Sequence, residues 1–146
     1  MFAYFRLVHG EGEMTLRFIN PSTLPQSAGY THVVEATGAR TIYISGQVAL
    51  DAAGNVVGPG DMRAQAQQVF TNLQAALEAA GASFDDVAKL TFFVLDASQM
   101  PAVREVRDLY INLAQPPASS AVEVRRLVRD EYLIEVEAIA VTAAWR

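Results

Sequence analysis

Two early stretches, residues 30–35 and 41–50, are rich in β-branched and aromatic residues, with Gly38 in the turn between them. Such residue types bounded by turn residues predict strands. A polar turn, Asp51-Ala52-Ala53-Gly54-Asn55, comes next, then Val56-Val57 and the chain-breaking Gly58-Pro59-Gly60. From Asp61 onward the pattern becomes helical. Met62, Ala66, Val69, Leu73, Ala76, Leu77 and Ala80 recur at helical spacing and make one apolar stripe. Asp61 suits the N-cap of this helix and Gly81 its C′ position. Gln65, Gln67, Gln68, Asn72 and Glu78 supply its polar side. Residues 89–95 are nearly all apolar, as in a strand covered on both faces. Ser98 is placed to cap a second helix, with Pro101 in its first turn. Its inner stripe would be Met100, Val103, Val106, Tyr110 and Leu113, and Pro116-Pro117 would stop it. Residues 121–127 and 132–141 read as closing strands joined by the polar turn Arg129-Asp130-Glu131.

The order is β-β, α, β, α, β-β. A helix crossing between strands implies parallel pairing, while hairpins would be antiparallel. The expected fold class is α+β, a mixed sheet with two helices on one face. The strands carry apolar residues on both sides, so a second copy of the chain is expected to cover the other face.

Composition narrows the function classes. With 146 residues, 51% apolar and 18% charged, the sequence describes one folded domain with a real core. The net charge is −5 and no basic run occurs, which argues against a broad nucleic-acid face. There is no cysteine, hence no disulfide or thiol chemistry, and a reducing, cytoplasmic setting fits. No apolar run approaches the ~18 residues of a membrane span. The apolar start, residues 1–8, is broken by Arg6 and lacks a small-residue cleavage site, so it is not read as a signal peptide. Met14 is a candidate true start. Residues 1–17 are an N-terminal extension or strand, and residues 18–146 are the domain.

Common chemical motifs are missing. Gly10-Glu11-Gly12 neither follows a strand nor opens a helix, so it is no dinucleotide loop. No phosphate loop, HExxH or metal-spaced ligand set occurs, and no cofactor is implied. The histidines are His9 and His32, and neither has an evident serine and acid partner. Asp85-Asp86 beside Ser83 reads as capping.

Several separated segments do agree with one family. Asn20-Pro21, Gly29-Tyr30, Ile44-Ser45-Gly46-Gln47-Val48 and Leu77-Glu78-Ala79-Ala80-Gly81 occur in that order. Lys89-Leu90-Thr91-Phe92-Phe93-Val94, Val122-Glu123-Val124 and Ile134-Glu135-Val136-Glu137-Ala138-Ile139-Ala140 follow. Over roughly residues 18–142 the chain resembles the RidA/YjgF family of reactive-intermediate deaminases. The resemblance implies a chorismate-mutase-like fold and a homotrimer around a central barrel. It also implies a small-molecule cleft between each pair of subunits.

The family's best-known reaction is hydrolysis of an enamine or imine to a 2-oxo acid and ammonia. Such chemistry needs a cation for the substrate carboxylate, a positioned water and a proton source for the nitrogen. Active members grip the carboxylate with an arginine in a Pro-Ala-Arg-Ser context, a planar fork suited to two parallel hydrogen bonds. Here the matching segment is Pro117-Ala118-Ser119-Ser120, so Ser119 stands at the arginine's place. Losing one side of a desolvated charge pair costs about 2–5 kcal/mol. Arg125 and Arg126 lie about 20 Å further along an extended strand and do not reach from within the chain.

By resemblance, Glu135 is the water-positioning glutamate and Tyr30 a site tyrosine, the two catalytic candidates. Ser119, Ala118 and Ser45 are the substrate-binding candidates. Each has a structural alternative: Glu135 as a solvent-facing partner of Glu137, Tyr30 as edge-strand packing, Ser45 as part of a close backbone approach at Gly46. The functional expectation is a deaminase-type hydrolase that is weak on 2-imino acids because of Ser119. The alternatives are a non-catalytic small-ligand binder or chaperone-like trimer and, less well supported by the acidic charge, a ribonuclease or translation inhibitor. The expected partners are the chain itself and a small molecule, without membrane or nucleic acid.

Overall fold

The computed structural model describes residues 14–143, and the expectations for residues 1–13 lie outside it. Eight main elements follow one another: β1 (Thr15–Ile19), β2 (Val33–Thr37), β3 (Arg40–Gln47), α1 (Met62–Ala79), β4 (Val87–Val94), α2 (Met100–Arg107), β5 (Ala118–Glu123) and β6 (Ile134–Thr142). Short 3-10 turns at Phe84–Asp86 and Ala97–Gln99 lead into β4 and α2.

β3, β6, β4 and β5 form one sheet in that spatial order. β4 and β5 run parallel, and β6 is antiparallel to both its neighbours. β1 and β2 make a separate antiparallel ribbon. Thr31 ties that ribbon to the sheet edge through a bridge to Ala118. Its N–H donates to the Pro117 carbonyl at 3.2 Å and its hydroxyl to the Pro116 carbonyl at 2.5 Å.

Alternation along the strands sorts their side chains. Ile134, Val136, Ala138 and Ala140 of β6 are buried, as are Leu90, Phe92 and Val94 of β4. They meet Met62, Ala66, Val69, Phe70, Leu73 and Leu77 of α1 in one core. α2 lies against α1, joined by the Arg63–Glu105 ion pair and by Gln67 Nε2 donating to the Tyr110 hydroxyl. Both helices therefore cover one face, as the hydrophobic pattern predicts. The start and stop of α1 also follow the sequence. Asp61 accepts the Ala64 N–H at 3.0 Å, and Gly81 follows the helix at a φ of +68°.

Four expectations need correction. The early strand pair and the closing pair are not hairpins: β2 pairs with β1, β3 with β6, and β4 lies between β5 and β6. Long-range pairing overrides the short turns. Second, Asp96, not Ser98, caps the turn before α2, its carboxylate accepting the Ser98 N–H at 2.9 Å. Third, α2 ends at Arg107, well before Pro116, and Leu113 is 58% exposed rather than part of an inner stripe. Fourth, Gln65 is fully buried rather than on the polar side of α1. Its amide nitrogen donates to Glu131 and Gly58 carbonyls at 2.8 and 3.2 Å, and its oxygen accepts the Leu133 N–H at 2.9 Å.

Candidate functional site

The register decides which face each candidate side chain occupies. Ser119 pairs with Leu90, and Ala121 with Phe92, so both face the helix side of the sheet. Glu135 pairs with Phe93, and Glu137 with Thr91, one residue out of step with the buried Phe92 and Val136. Glu135 therefore points to the face away from the helices. Ser45 follows the buried Ile44 and shares that open face, just before the register slips between Ile44 and Gln47. Ala118, paired with Lys89, also lies there. One chain thus divides the predicted set between two faces of its sheet.

On the helix side, residues of β5, α2 and the segment before β2 enclose a cleft of about 360 Å³. Tyr30, Ser119, Phe92, Arg104 and Arg107 line it. Tyr30 is set by an edge-on contact with His32, ring centres 5.2 Å apart at 79°. His32 is itself fixed, its N–H donating to Asn20 Oδ1 at 2.9 Å and its Nε2 2.8 Å from the Pro25 carbonyl. Neither the Tyr30 nor the Ser119 hydroxyl has a hydrogen-bond partner among the described residues. A larger hollow of about 460 Å³ lies beside β1 and Phe84 but contains none of the predicted site residues.

On the open face, the Glu135 side chain lies across Gly46. A Cβ at residue 46 would overlap the Glu135 carboxylate and stand 2.7 Å from its Cδ. Glycine is what lets the carboxylate fold down onto β3 beside Ser45. The carboxylate is half-buried and makes no hydrogen bond or ion pair among the described residues. An acceptor-only group in that state is free to orient a water or take a proton.

Arg104 and Arg107 escaped the sequence reading, which looked for a substitute cation only downstream of Ser119. Their spacing from Met100, four and then three residues, was the available signal, because it sets all three on one helix face. Arg126 pairs instead with Asp130, 2.8 Å away. Among the described residues no group of three or more metal-binding side chains occurs, and no helix is long and apolar enough to cross a membrane.

Comparison with known proteins agrees with this architecture. Residues 21–142 match the family described as endoribonuclease L-PSP. A RutC family protein of Synechocystis is 37% identical over 130 residues, 88% of this chain and 98% of the relative. A 2-iminobutanoate/2-iminopropanoate deaminase of Dermatophagoides farinae is 34% identical over 126 residues, 86% of this chain and 95% of the relative. Among solved structures, YyfB of the conserved Rid protein family from Yersinia pestis superposes with a TM-score of 0.77 at 37% identity. That match covers 86% of this chain and 98% of the other. The two-helix mixed sheet, the ordered motifs and these likenesses together place the chain in the RidA/YjgF family, the endoribonuclease L-PSP domain family.

Proposed function

We propose that the chain works in the cytoplasm as a homotrimer and hydrolyses a small enamine or imine in clefts between subunits. The observation that carries this reading is the division of the site. Tyr30 and Ser119 lie on the helix side, Ser45 and Glu135 on the open face. A site using both sets has to join the edge of one copy to the open face of the next. Tyr43, 78% exposed on that face, and the half-exposed Val122 are the apolar surface such a contact would cover.

In this scheme the enamine first tautomerises to the imine. Glu135 orients water against the C=N carbon and takes its proton, giving a carbinolamine. The Tyr30 hydroxyl gives a proton to the nitrogen, Glu135 passes on the one it took, and the carbinolamine hydroxyl returns its proton to Tyr30 as ammonia leaves and the 2-oxo product forms. Water is consumed and no redox step occurs. Named relatives that act as 2-iminobutanoate/2-iminopropanoate deaminases support the class. Ser119, uncharged, does not supply the carboxylate grip.

The test is to generate 2-aminoacrylate in situ and follow pyruvate. Native protein is expected to accelerate its formation, and Glu135→Gln to lose at least ~100-fold in kcat, the usual contribution of a general base. Native protein that gives no acceleration would remove the hydrolase reading. Ser119 favours a second reading, a trimer that binds a small ligand without turning it over. Saturable ligand binding with no chemistry would support it. An RNA-directed role, suggested by the family description, finds no support in a chain of net charge −5.

A further inference from the structure

We propose that Arg104 and Arg107 of α2 hold the carboxylate of the ligand beside Ser119, so that the cation of this site comes from the helix and not from β5. The inference rests on reading the Tyr30–Ser119 cleft as the ligand site.

Both arginines line that cleft. Arg107 is 7% exposed, and its guanidinium lies against Gly29. Gly29 has a φ of +74°, and a Cβ there would stand 2.8 Å from Arg107 Nη2. The backbone thus uses a glycine to make room for the fork. Arg107 Nε and Nη2 both reach the same oxygen of Asp108, at 2.8 and 2.7 Å. That contact holds the guanidinium plane and leaves Nη1 without a hydrogen-bond partner among the described residues. Because no buried side-chain nitrogen or oxygen among the described residues lacks a hydrogen bond, Nη1 is open to solvent.

Arg104 is exposed and makes no side-chain hydrogen bond or ion pair among the described residues. The acids around it are engaged elsewhere. Glu105 pairs with Arg63, and Glu123 accepts the Ala97 N–H at 2.9 Å. The cleft lining carries these two guanidinium groups and no carboxylate, so it is locally positive in a chain whose net charge is −5. Phe92 and Met100 form its apolar wall. A positive rim over an apolar wall suits a small 2-oxo or 2-imino acid with a short aliphatic side chain. Ser119 then contributes space and one hydroxyl, where a third arginine would crowd three like charges.

The experiment titrates the full chain with 2-oxobutanoate and, separately, with its neutral amide, by ligand-observed NMR. Arg107→Gln is expected to weaken 2-oxobutanoate binding at least ~30-fold and the exposed Arg104→Gln several-fold. Amide affinity should change less than ~2-fold in both, since a neutral ligand does not draw on the guanidinium charge. Arg104→Gln needs no refolding of the core, so it keeps the test decisive if Arg107→Gln proves unstable. Native-like carboxylate affinity in Arg104→Gln and in any folded Arg107→Gln overturns the proposal. So does equal loss for acid and amide, or no binding of 2-oxobutanoate by native protein. Arginine-dependent binding without imine hydrolysis would sink the proposed activity alone. Hydrolysis with unchanged KM in both variants would sink the arginine assignment alone.

Discussion

Gly46 and Glu135 constrain each other. The glutamate lies where a methyl group at residue 46 would be, so Gly46→Ala must push the carboxylate off β3. Pyruvate release from 2-aminoacrylate should fall at least ~10-fold in Gly46→Ala, since small misplacements of catalytic groups are costly. Its melting temperature should change little, because the atoms nearest the Cβ all belong to the flexible Glu135 side chain and none to backbone. Full activity would show that Glu135 does not act from this position. Gln65 carries a stability prediction of the same directness. Gln65→Leu orphans the Leu133 N–H and the Gly58 and Glu131 carbonyls. The expected cost is on the order of 2–4 kcal/mol, or roughly 5–15 °C in melting temperature, read by calorimetry. Asp61 and Gly81 were legible in the sequence because a cap is decided within one turn. Gln65 was not, because its partners at Glu131 and Leu133 are remote in sequence.

α2 shows what local patterns leave out among the elements. Its apolar stripe and Pro101 announced a helix, yet a 3-10 turn capped by Asp96 precedes it. The Asp96 carboxyl is held below its usual range chiefly by the Ser98 hydroxyl, then by the Gln99 amide and the Ser98 N–H. A depressed folded-state value means stability that is full above the unfolded value and lost as pH falls through the folded one. Asp96→Asn should therefore lower the melting temperature near pH 7, with the difference from native shrinking as pH drops below about 4. A gap that stays constant down to pH 2 would contradict the capping assignment. Spatial strand order was equally hidden. Each strand was readable from its own residues, but the insertion of β4 between β5 and β6 depends on the crossover through α2. That same order puts Ser119 on the edge strand, next to the arginines, and Glu135 two strands further in.

At the scale of the whole molecule, the division of the candidate site is what matters. The sequence and the family resemblance named Tyr30, Ser45, Ala118, Ser119 and Glu135 without indicating that alternation sends them to opposite faces. Period-two patterning gives faces within a strand, but only the register relates one strand to another. In a cyclic trimer with head-to-tail contacts, each proposed site would take Tyr30 from one subunit and Glu135 from the next. Sedimentation should accordingly give a trimer at micromolar concentration, and a monomer would remove the shared cleft. The most direct test is complementation. Tyr30→Phe and Glu135→Gln chains, each inactive alone, are co-expressed in equal amounts and assayed for pyruvate release from 2-aminoacrylate. Random assembly leaves about a quarter of the sites with both native groups, so the account predicts recovery of about a quarter of native activity. Mixed trimers that form and remain inactive would contradict it.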